Sequence, residues 1–184
     1  ASILDADDNA QKEDLHMIAR ISAVAVKLVF PFVAQQDIRF YLCGINIRPL
    51  EDGSVMVVAT NGHRYIVARD PHGFAEKEII VSVNKDALKH ATSPKHSFDV
   101  MSNGSAMFSG EVAQPLFIQP GNSLIEAKFP RIERVASTVG YKEGISGAVN
   151  PRYLHAALMI GKSFGESIRF FTRDYDGPRT FVLG

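Results

Sequence analysis

Apolar residues first recur at helical spacing, near the beginning of the chain. Over residues 13–30 they fall three or four positions apart, which predicts an amphipathic helix that ends at Pro31. The stripe consists of Leu15, Ile18, Ala19, Ser22, Ala25, Val26 and Val29. Arg20 and Lys27 lie off the stripe, so the helix is expected to bury one face and to carry these cations on another.

The pattern then changes to the alternation that is typical of strands. Residues 37–69 predict a three-stranded meander, with hairpin turns at Asp52-Gly53 and Asn61-Gly62. The alternation shifts by one position at Gly44, which predicts a β-bulge. Further strands are expected over residues 79–83, 97–101, 105–109, 115–119 and 124–128, with a turn at Asn103-Gly104 between the second and third.

A short segment occurs twice. Residues 83–91 and 149–157 both begin with Val-Asn, carry Leu four positions after the Asn, and carry Ala three positions later. In each copy the Asn, which is Asn84 or Asn150, is expected to cap a short helix. Pro151 occupies the first helical position of the second copy, where proline is favoured.

The surroundings of the two copies are also alike. An apolar strand precedes each copy, over residues 79–83 and 145–149, and a hairpin follows each, the second around Asp176-Gly177-Pro178. Together with the first helix and its meander, this pattern predicts three consecutive helix-plus-strands units, the last short by a strand. The predicted fold class is therefore α+β.

Composition excludes several classes of protein. The 184 residues include 20 Lys and Arg against 20 Asp and Glu, and 46% are hydrophobic, which excludes a disordered tail or a collagen-like fibre. Balanced charge excludes a uniformly basic nucleic-acid coat but not a basic patch. The single cysteine, Cys43, excludes an internal disulfide framework. Because no stretch approaches ~18 apolar residues and residues 1–10 do not form a secretory signal, we expect a cytoplasmic protein without a membrane partner.

Residue types that bind metals or carry catalysis are present, but not in the spacings that such sites need. The histidines are His16, His63, His72, His90, His96 and His155, and no pair has zinc-site spacing. No CxxC, GxSxG, phosphate-binding loop or dinucleotide-binding motif occurs. Cys43 is interpreted as a small residue in an apolar run, and Asp174 and Asp176 as a hairpin tip. We therefore expect no metal, cofactor or catalytic residue.

Each predicted helix carries basic residues. These are Arg20, Lys27, Lys85, Lys89, Arg152 and Lys162. One interpretation is an ordinary solvated helix face, and the other is a set of helices that touch nucleic-acid phosphates without reading bases. The residues alone leave both interpretations open, and only the repetition on all three helices favours phosphate contact.

A resemblance to a known family begins at the second hairpin turn. The segment reads Val58-Ala59-Thr60-Asn61-Gly62-His63-Arg64-Tyr65. It resembles the signature of the bacterial sliding clamp family, the β subunit of DNA polymerase III, which has Asp and Leu where this chain has Asn61 and Tyr65. Residues 36–44 and 129–135 resemble two further family segments in the same order. The resemblance spans residues 12–184, corresponding to a middle domain and the first half of the next.

The resemblance implies a DNA-clamp fold, with helices on one face of antiparallel sheets. It implies a flexible segment over residues 1–12, a clamp-like domain of two units over 13–140, and a partial second domain over 141–184. It also implies a non-enzymatic processivity factor that encircles duplex DNA without sequence preference and forms a homo-oligomer. The chain is shorter than a clamp of this family, so a fragment or a shortened relative from a mobile element is expected.

The family also captures peptide motifs of polymerases and the clamp loader, in a pocket between its middle and third domains. By match, the pocket residues are Leu42, Thr60, Gly62, His63, Arg64, Tyr65, Pro130, Arg134 and Val135. Apolar residues would form the floor of this pocket and the two arginines its rim. The family's C-terminal tail has no counterpart here, so one wall is expected to be open or altered.

Two other functions stay open on the sequence. A clamp-like module could dock or sequester replication proteins through the same pocket without encircling DNA. An enzyme on an unrelated α+β fold could use His63 and Arg64 as catalytic groups, although no carboxylate or nucleophile stands beside them in sequence.

Overall fold

Two units with the same order of elements form most of the structure. The computed structural model describes residues 15–119, 121–132, 142–144, 148, 150–164, 167–172 and 179–183. The first unit contains β1 (Met17–Ser22), α1 (Ala23–Val29), β2 (Ile45–Pro49), β3 (Val55–Thr60), β4 (Tyr65–Asp70) and the short β5 (Phe74–Ala75). The second contains β6 (Ile79–Val81), a 3-10 helix (Lys85–His90), β7 (Ser97–Met101), β8 (Ala106–Ser109) and β9 (Pro115–Gln119). Apart from β5, each unit is a strand, a helix and three further strands.

Each unit contributes its first strand to the sheet of the other. One sheet has the order β5-β1-β7-β8-β9 and the other β4-β3-β2-β6, and neighbouring strands are antiparallel. β1 pairs with β7, where Arg20 lies opposite Asp99. β6 pairs with β2, where Ile80 lies opposite Asn46. The two units are therefore interlocked.

The main hydrophobic core joins α1 to both sheets. Val26 and Val29 of α1 are fully buried in it, and the rings of Phe98 and Phe108 lie 4.9 Å apart. Burial of each such side chain stabilises the fold by roughly 1.5–3 kcal/mol. Ile160, from the helix of the third unit, belongs to the same core, so that helix packs against the first two units.

The third unit has the same order of strand, helix and strands as far as it is described, but its first described strand pairs within its own sheet. It contains β10 (Lys142–Glu143), α2 (Pro151–Phe164), β11 (Ile168–Thr172) and β12 (Arg179–Leu183), in a sheet of order β10-β11-β12. β11 and β12 pair antiparallel, which confirms the predicted pairing, and α2 begins at Pro151 as predicted. The turn at residues 176–178 and most of the predicted strand at 145–149 lie outside the described residues, as do residues 1–12.

The two repeated segments cap their helices in the same way. Asn84 Oδ1 accepts a hydrogen bond from the backbone N–H of Asp86 at 2.8 Å, and Asn150 Oδ1 accepts one from the N–H of Arg152 at 2.9 Å. Both predicted caps are confirmed. The predicted short helix after Asn84 is present, but as the 3-10 helix of the second unit.

The helix predicted over residues 13–30 is wrong in its first half. Met17–Ser22 forms β1, and α1 covers only Ala23–Val29. β1 is extended because it pairs with β5 on one side and β7 on the other. Ser22, predicted inside the helix, is instead its N-cap, since its Oγ accepts a hydrogen bond from the N–H of Val24 at 3.3 Å.

Other strand predictions differ from the structure in part. The first predicted strand of the meander is replaced around residues 40–43 by a 3-10 helix (Phe40–Cys43), so the meander consists of β2, β3 and β4. Gly44 marks the end of that 3-10 helix rather than a bulge, and its backbone is extended, with φ −127° and ψ 170°. Residues 124–128 contribute only an isolated bridge from Leu124 to Val81. The three predicted turns are confirmed, with φ between 81° and 86° at each glycine.

Candidate functional site

Side-chain hydrogen bonds hold the turn between β3 and β4. Asn61 Oδ1 accepts hydrogen bonds from the N–H groups of His63 at 3.1 Å and of Arg64 at 3.2 Å. Thr60 Oγ1 donates to the carbonyl oxygen of Arg64 at 2.8 Å and accepts from the N–H of Gly62 at 3.1 Å. Gly62 has a φ of 86°, a conformation that other residues rarely adopt. These contacts position His63 and Arg64 relative to the sheet.

The Arg64 side chain lies between two aromatic rings. Its Nη2 donates a hydrogen bond to the carbonyl oxygen of Pro31 at 2.8 Å. Its guanidinium carbon lies 4.9 Å from the centroid of the Phe32 ring and 5.7 Å from that of Tyr153 in α2. Its Nε is buried, with no hydrogen-bond partner among the described residues. Arg64 therefore contacts both the first unit and α2, and such cation–π contacts contribute about 0.5–2 kcal/mol each.

A charged pair lies in the loop between α1 and β2. Asp37 Oδ1 accepts hydrogen bonds from Nε of Arg39 at 2.9 Å and from its backbone N–H at 2.8 Å, and Oδ2 accepts one from Nη2 at 2.7 Å. These bonds lower the pKa of Asp37 to about 2. A Cβ on Gly62 would lie 2.8 Å from Nη1 of Arg39, so the pair also lies directly beside the β3–β4 turn.

An open groove of about 560 Å³ separates this loop from the turn. Its lining residues are Pro31, Val33, Ala34, Gln35, Gln36, Asp37, Arg39, Asn61, His63 and Arg64, and they define what is called here the Arg64 groove. Because Asp37 and Arg39 neutralise each other, Arg64 gives the lining one positive charge in excess with the histidine neutral.

The sheet divides the predicted pocket residues between its two faces. His63 and Arg64 line the Arg64 groove. Tyr65 belongs to the opposite face of β4, where it packs against a second apolar cluster that contains Phe129. Pro130, which follows Phe129, is half-buried. Arg64 and Tyr65, although adjacent in sequence, therefore face different surroundings.

The remaining predicted pocket residues present little surface. Leu42 is 2% exposed and Thr60 is 5% exposed, so neither offers a contact surface to a ligand in this conformation. Gly62 is exposed at the tip of the turn. Arg134 and Val135 lie outside the described residues. The structure thus brings four of the predicted residues, Thr60 and 62–64, together in the turn.

Glu78 joins strands β2 and β6 to residues 129–132. Its Oε1 accepts hydrogen bonds from Nδ2 of Asn46 at 3.1 Å and from Nη2 of Arg48 at 3.4 Å. Its Oε2 lies 3.1 Å from Nη2 of Arg131. The carboxylate therefore ties the segment that carries Pro130 to the sheet, a role that the sequence analysis did not find.

Five of the six candidate DNA-facing cations lie on helices, and the sixth does not. Lys27, Lys85, Lys89, Arg152 and Lys162 are exposed, and none forms an ion pair within the described part of the chain. Arg20 lies on β1, not on a helix as predicted, because that part of the chain is a strand. Its guanidinium is paired with Asp99 at 2.7 Å.

The structure also locates the residues considered for other chemistry. Cys43 is half-buried, with its Sγ 4.0 Å from the carbonyl oxygen of Asp37. Asp174 and Asp176 lie outside the described residues. In the described ranges, no three His, Cys, Asp or Glu residues come together as possible metal ligands. A helix with the length and apolarity to cross a membrane is likewise not found there.

The two aromatic residues beside Arg64 were not predicted from the sequence. Phe32 gave no signal, because an apolar residue after a predicted helix is expected in any core. Tyr153 did give a signal in the sequence, because the corresponding position of the other repeated segment is Ala87, which is fully buried. A large aromatic residue at that position indicates a contact that the second unit lacks.

Solved structures with a similar fold identify the architecture. No family model and no curated protein matches the sequence. The structure is similar to the Helicobacter pylori beta clamp bound to a DNA ligase peptide, with a TM-score of 0.52 and 15% identity over 91% of this chain and 50% of the clamp. It is similar to DNA polymerase III subunit beta from Pseudomonas aeruginosa, with a TM-score of 0.51 and 16% identity over 90% of this chain and 50% of the other. The fold is that of half a bacterial DNA clamp.

The clamp comparison confirms the expected α+β fold with antiparallel sheets and few helices. The chain spans about half the length of the clamps that it matches, which share 15–16% of their residues with it. Similarity at this level shows the fold alone.

Proposed function

We propose that this chain is a sliding-clamp-like processivity factor that encircles duplex DNA and tethers replication proteins through a peptide-binding site at the β3–β4 turn. The observation that carries the proposal is the match of 90–91% of the chain to half of two bacterial clamps. A ring retains DNA by topology, so loose phosphate contacts suffice and a net charge of zero is compatible with the function. The proposed function is not enzymatic and needs no cofactor.

The proposed DNA contacts are the exposed helix cations. Lys27 lies on α1, and Lys85 and Lys89 lie on the 3-10 helix of the second unit, which is in contact with α1. Arg152 and Lys162 extend the set to α2. Lysine and arginine contacts to phosphates favour binding without reading bases, as a sliding protein requires.

Two observations support a peptide site beside the turn. The volume of the Arg64 groove, about 560 Å³, lies within the range of roughly 300–1,000 Å³ that is typical of ligand sites. The H. pylori clamp with the same fold was solved with a DNA ligase peptide bound. The proposed partners are therefore peptide motifs of polymerases and clamp loaders.

Native mass and retention on DNA test the encircling function. A ring needs several copies of a half-clamp chain, so light scattering after size exclusion should give one defined mass above the monomer at several concentrations. Protein assembled in the presence of nicked circular plasmid should stay bound, and should be lost after the plasmid is linearised. A triple Lys27→Glu, Lys85→Glu, Lys89→Glu variant should be retained less. A strict monomer, or equal retention on circular and linear DNA, would contradict encirclement.

A docking module that does not encircle DNA is the second candidate. The ion pair between Arg20 and Asp99 favours such a module, because this pairing removes one of the six candidate cations from DNA contact. Such a module would bind peptides as a monomer and would not be retained on circular DNA. The two measurements above therefore separate the candidates.

A further inference from the structure

We propose that the Arg64 groove binds a peptide segment that carries a carboxylate, with Arg64 as the residue that anchors it. This inference rests on the proposed peptide tethering and names the chemical class of the partner. It requires an electropositive site, a positioned arginine with donors to spare, and surroundings that suit a peptide.

The pairing of charged groups within the groove supports a carboxylate ligand. Asp37 and Arg39 are joined by hydrogen bonds between their side chains at 2.7 and 2.9 Å, so their charges are mutually satisfied. Arg64 has no carboxylate partner among the described residues, and its guanidinium binds only a backbone carbonyl oxygen and two rings. Arg64 is therefore the groove cation that has no anionic partner among the described residues.

The position of the Arg64 side chain also supports a carboxylate ligand. The carbonyl oxygen of Pro31 and the face of the Phe32 ring hold the guanidinium in place before any ligand arrives. An arginine has five N–H donors, and Pro31 accepts one of them. A carboxylate is the group that matches a planar, fixed guanidinium best.

The other lining residues favour a peptide over a nucleic acid. Gln35, Gln36 and Asn61 bring amide groups that can pair with a peptide backbone, and Val33 and Ala34 provide an apolar floor. Ile38, between two lining residues, is 99% exposed and is available to an apolar side chain of the partner. A phosphate backbone would need a row of free cations, whereas this groove has only Arg64.

A peptide library tests the inference. The probe is a random library of octapeptides with acetylated and amidated ends, so that any carboxylate belongs to Asp or Glu. It is selected in parallel on the full chain, on Arg64→Gln, and on Lys77→Gln, whose exposed lysine lies outside the groove. Peptides from the full chain and from Lys77→Gln should carry an acidic residue at one fixed position. One selected peptide and its amide counterpart, with Asn or Gln for the acid, are then compared by fluorescence anisotropy.

The expected result is that the acidic peptide binds the full chain and Lys77→Gln at least about tenfold more tightly than its amide counterpart, and that Arg64→Gln removes this difference. Circular dichroism should show that Arg64→Gln is folded, and Arg64→Lys should restore part of the preference. Selection of peptides without an acidic residue would overturn this inference but keep peptide tethering. No enrichment at all would overturn both. A groove that binds a DNA oligonucleotide through Arg64, and no peptide, would assign the site to phosphate.

Discussion

Arg20 on β1 and Asp99 on β7 form a two-point ion pair that holds the two units together. Nε and Nη2 of Arg20 donate to the two carboxylate oxygens of Asp99 at 2.7 and 3.0 Å. Ser109 Oγ donates to the same carboxylate at 2.7 Å. The Asp99 side chain is only 5% exposed, and its hydrogen bond raises the pKa of Arg20 above the ordinary value. A residue that looked like a free surface cation is thus part of the fold.

Arg20→Gln should lower the free energy of unfolding by about 2 kcal/mol, because Asp99 would keep its burial but lose its charged partner. Urea denaturation followed by circular dichroism measures the change. Lys27→Gln, the matched control on α1, should change stability by less than about 0.5 kcal/mol. Equal effects of the two substitutions would show that Arg20 is an ordinary surface residue.

The Asp37–Arg39 pair should give an unusually acidic titration. The pKa of Asp37 is lowered to about 2, below the ordinary 3.8, so the stabilisation by this pair is present above pH 3.8 and is lost as the pH falls through about 2. Carboxyl-carbon NMR measures the midpoint. Arg39→Gln should raise it towards 3.8, whereas Arg131→Gln, far along the sequence, should leave it unchanged. An ordinary midpoint in the unsubstituted chain would contradict the pairing.

Gly44→Ala should destabilise the protein by about 1–3 kcal/mol. A Cβ at this position would lie 2.9 Å from each of three atoms, in Ile80, Val81 and Ile125, and the one in Val81 is a backbone carbonyl oxygen that cannot move aside alone. Thermal and urea unfolding both report the change.

Gly53→Asn is the control for that substitution. Gly53 has a φ of 82°, which asparagine tolerates, and a Cβ there meets nothing within 4 Å. The decrease in the free energy of unfolding should therefore stay below about 1 kcal/mol. If Gly44→Ala were as mild as this control, the packing of residues 80, 81 and 125 around the glycine would be looser than described.

Glu78→Ala should release residues 129–132 from the sheet, because the carboxylate is what binds Arg131 there. Trypsin cleavage after Arg131 and hydrogen exchange of this segment should speed up several-fold, since local opening becomes easier. Glu76→Ala is the matched control, because Glu76 lies two positions away and pairs with His16 at 3.4 Å instead. Unchanged cleavage after Arg131 would mean that apolar packing alone holds the segment.

The features that sequence analysis predicted correctly are local ones. Asp52-Gly53 and Asn103-Gly104 form turns, and Asn84 and Asn150 form caps, because each depends on hydrogen bonds within a few residues. The α+β class followed from the same local signals, repeated along the chain. Local chemistry of this kind can be read from sequence without knowledge of the partner strands.

The errors occurred where distant contacts decide the conformation. Met17–Ser22 became a strand because it pairs with β7, and the Arg20–Asp99 bond joins residues 79 positions apart. The apolar spacing of this segment fits a helix and a buried strand equally, so only the partner could distinguish them. The surroundings of Arg64 were missed for the same reason, since Tyr153 approaches it from another unit.

The exchange of first strands between the units also determines how the chain can fold. During synthesis β1 leaves the ribosome long before β7, so its main partner is absent for most of that time. The pairing of β2 with β6 is delayed in the same way. Such pairings between distant segments slow folding, because a long loop must close before any contact is gained. The smallest piece that can complete both sheets is therefore residues 17–119. Either the first or the second unit expressed alone would have an incomplete sheet and an unpaired strand edge.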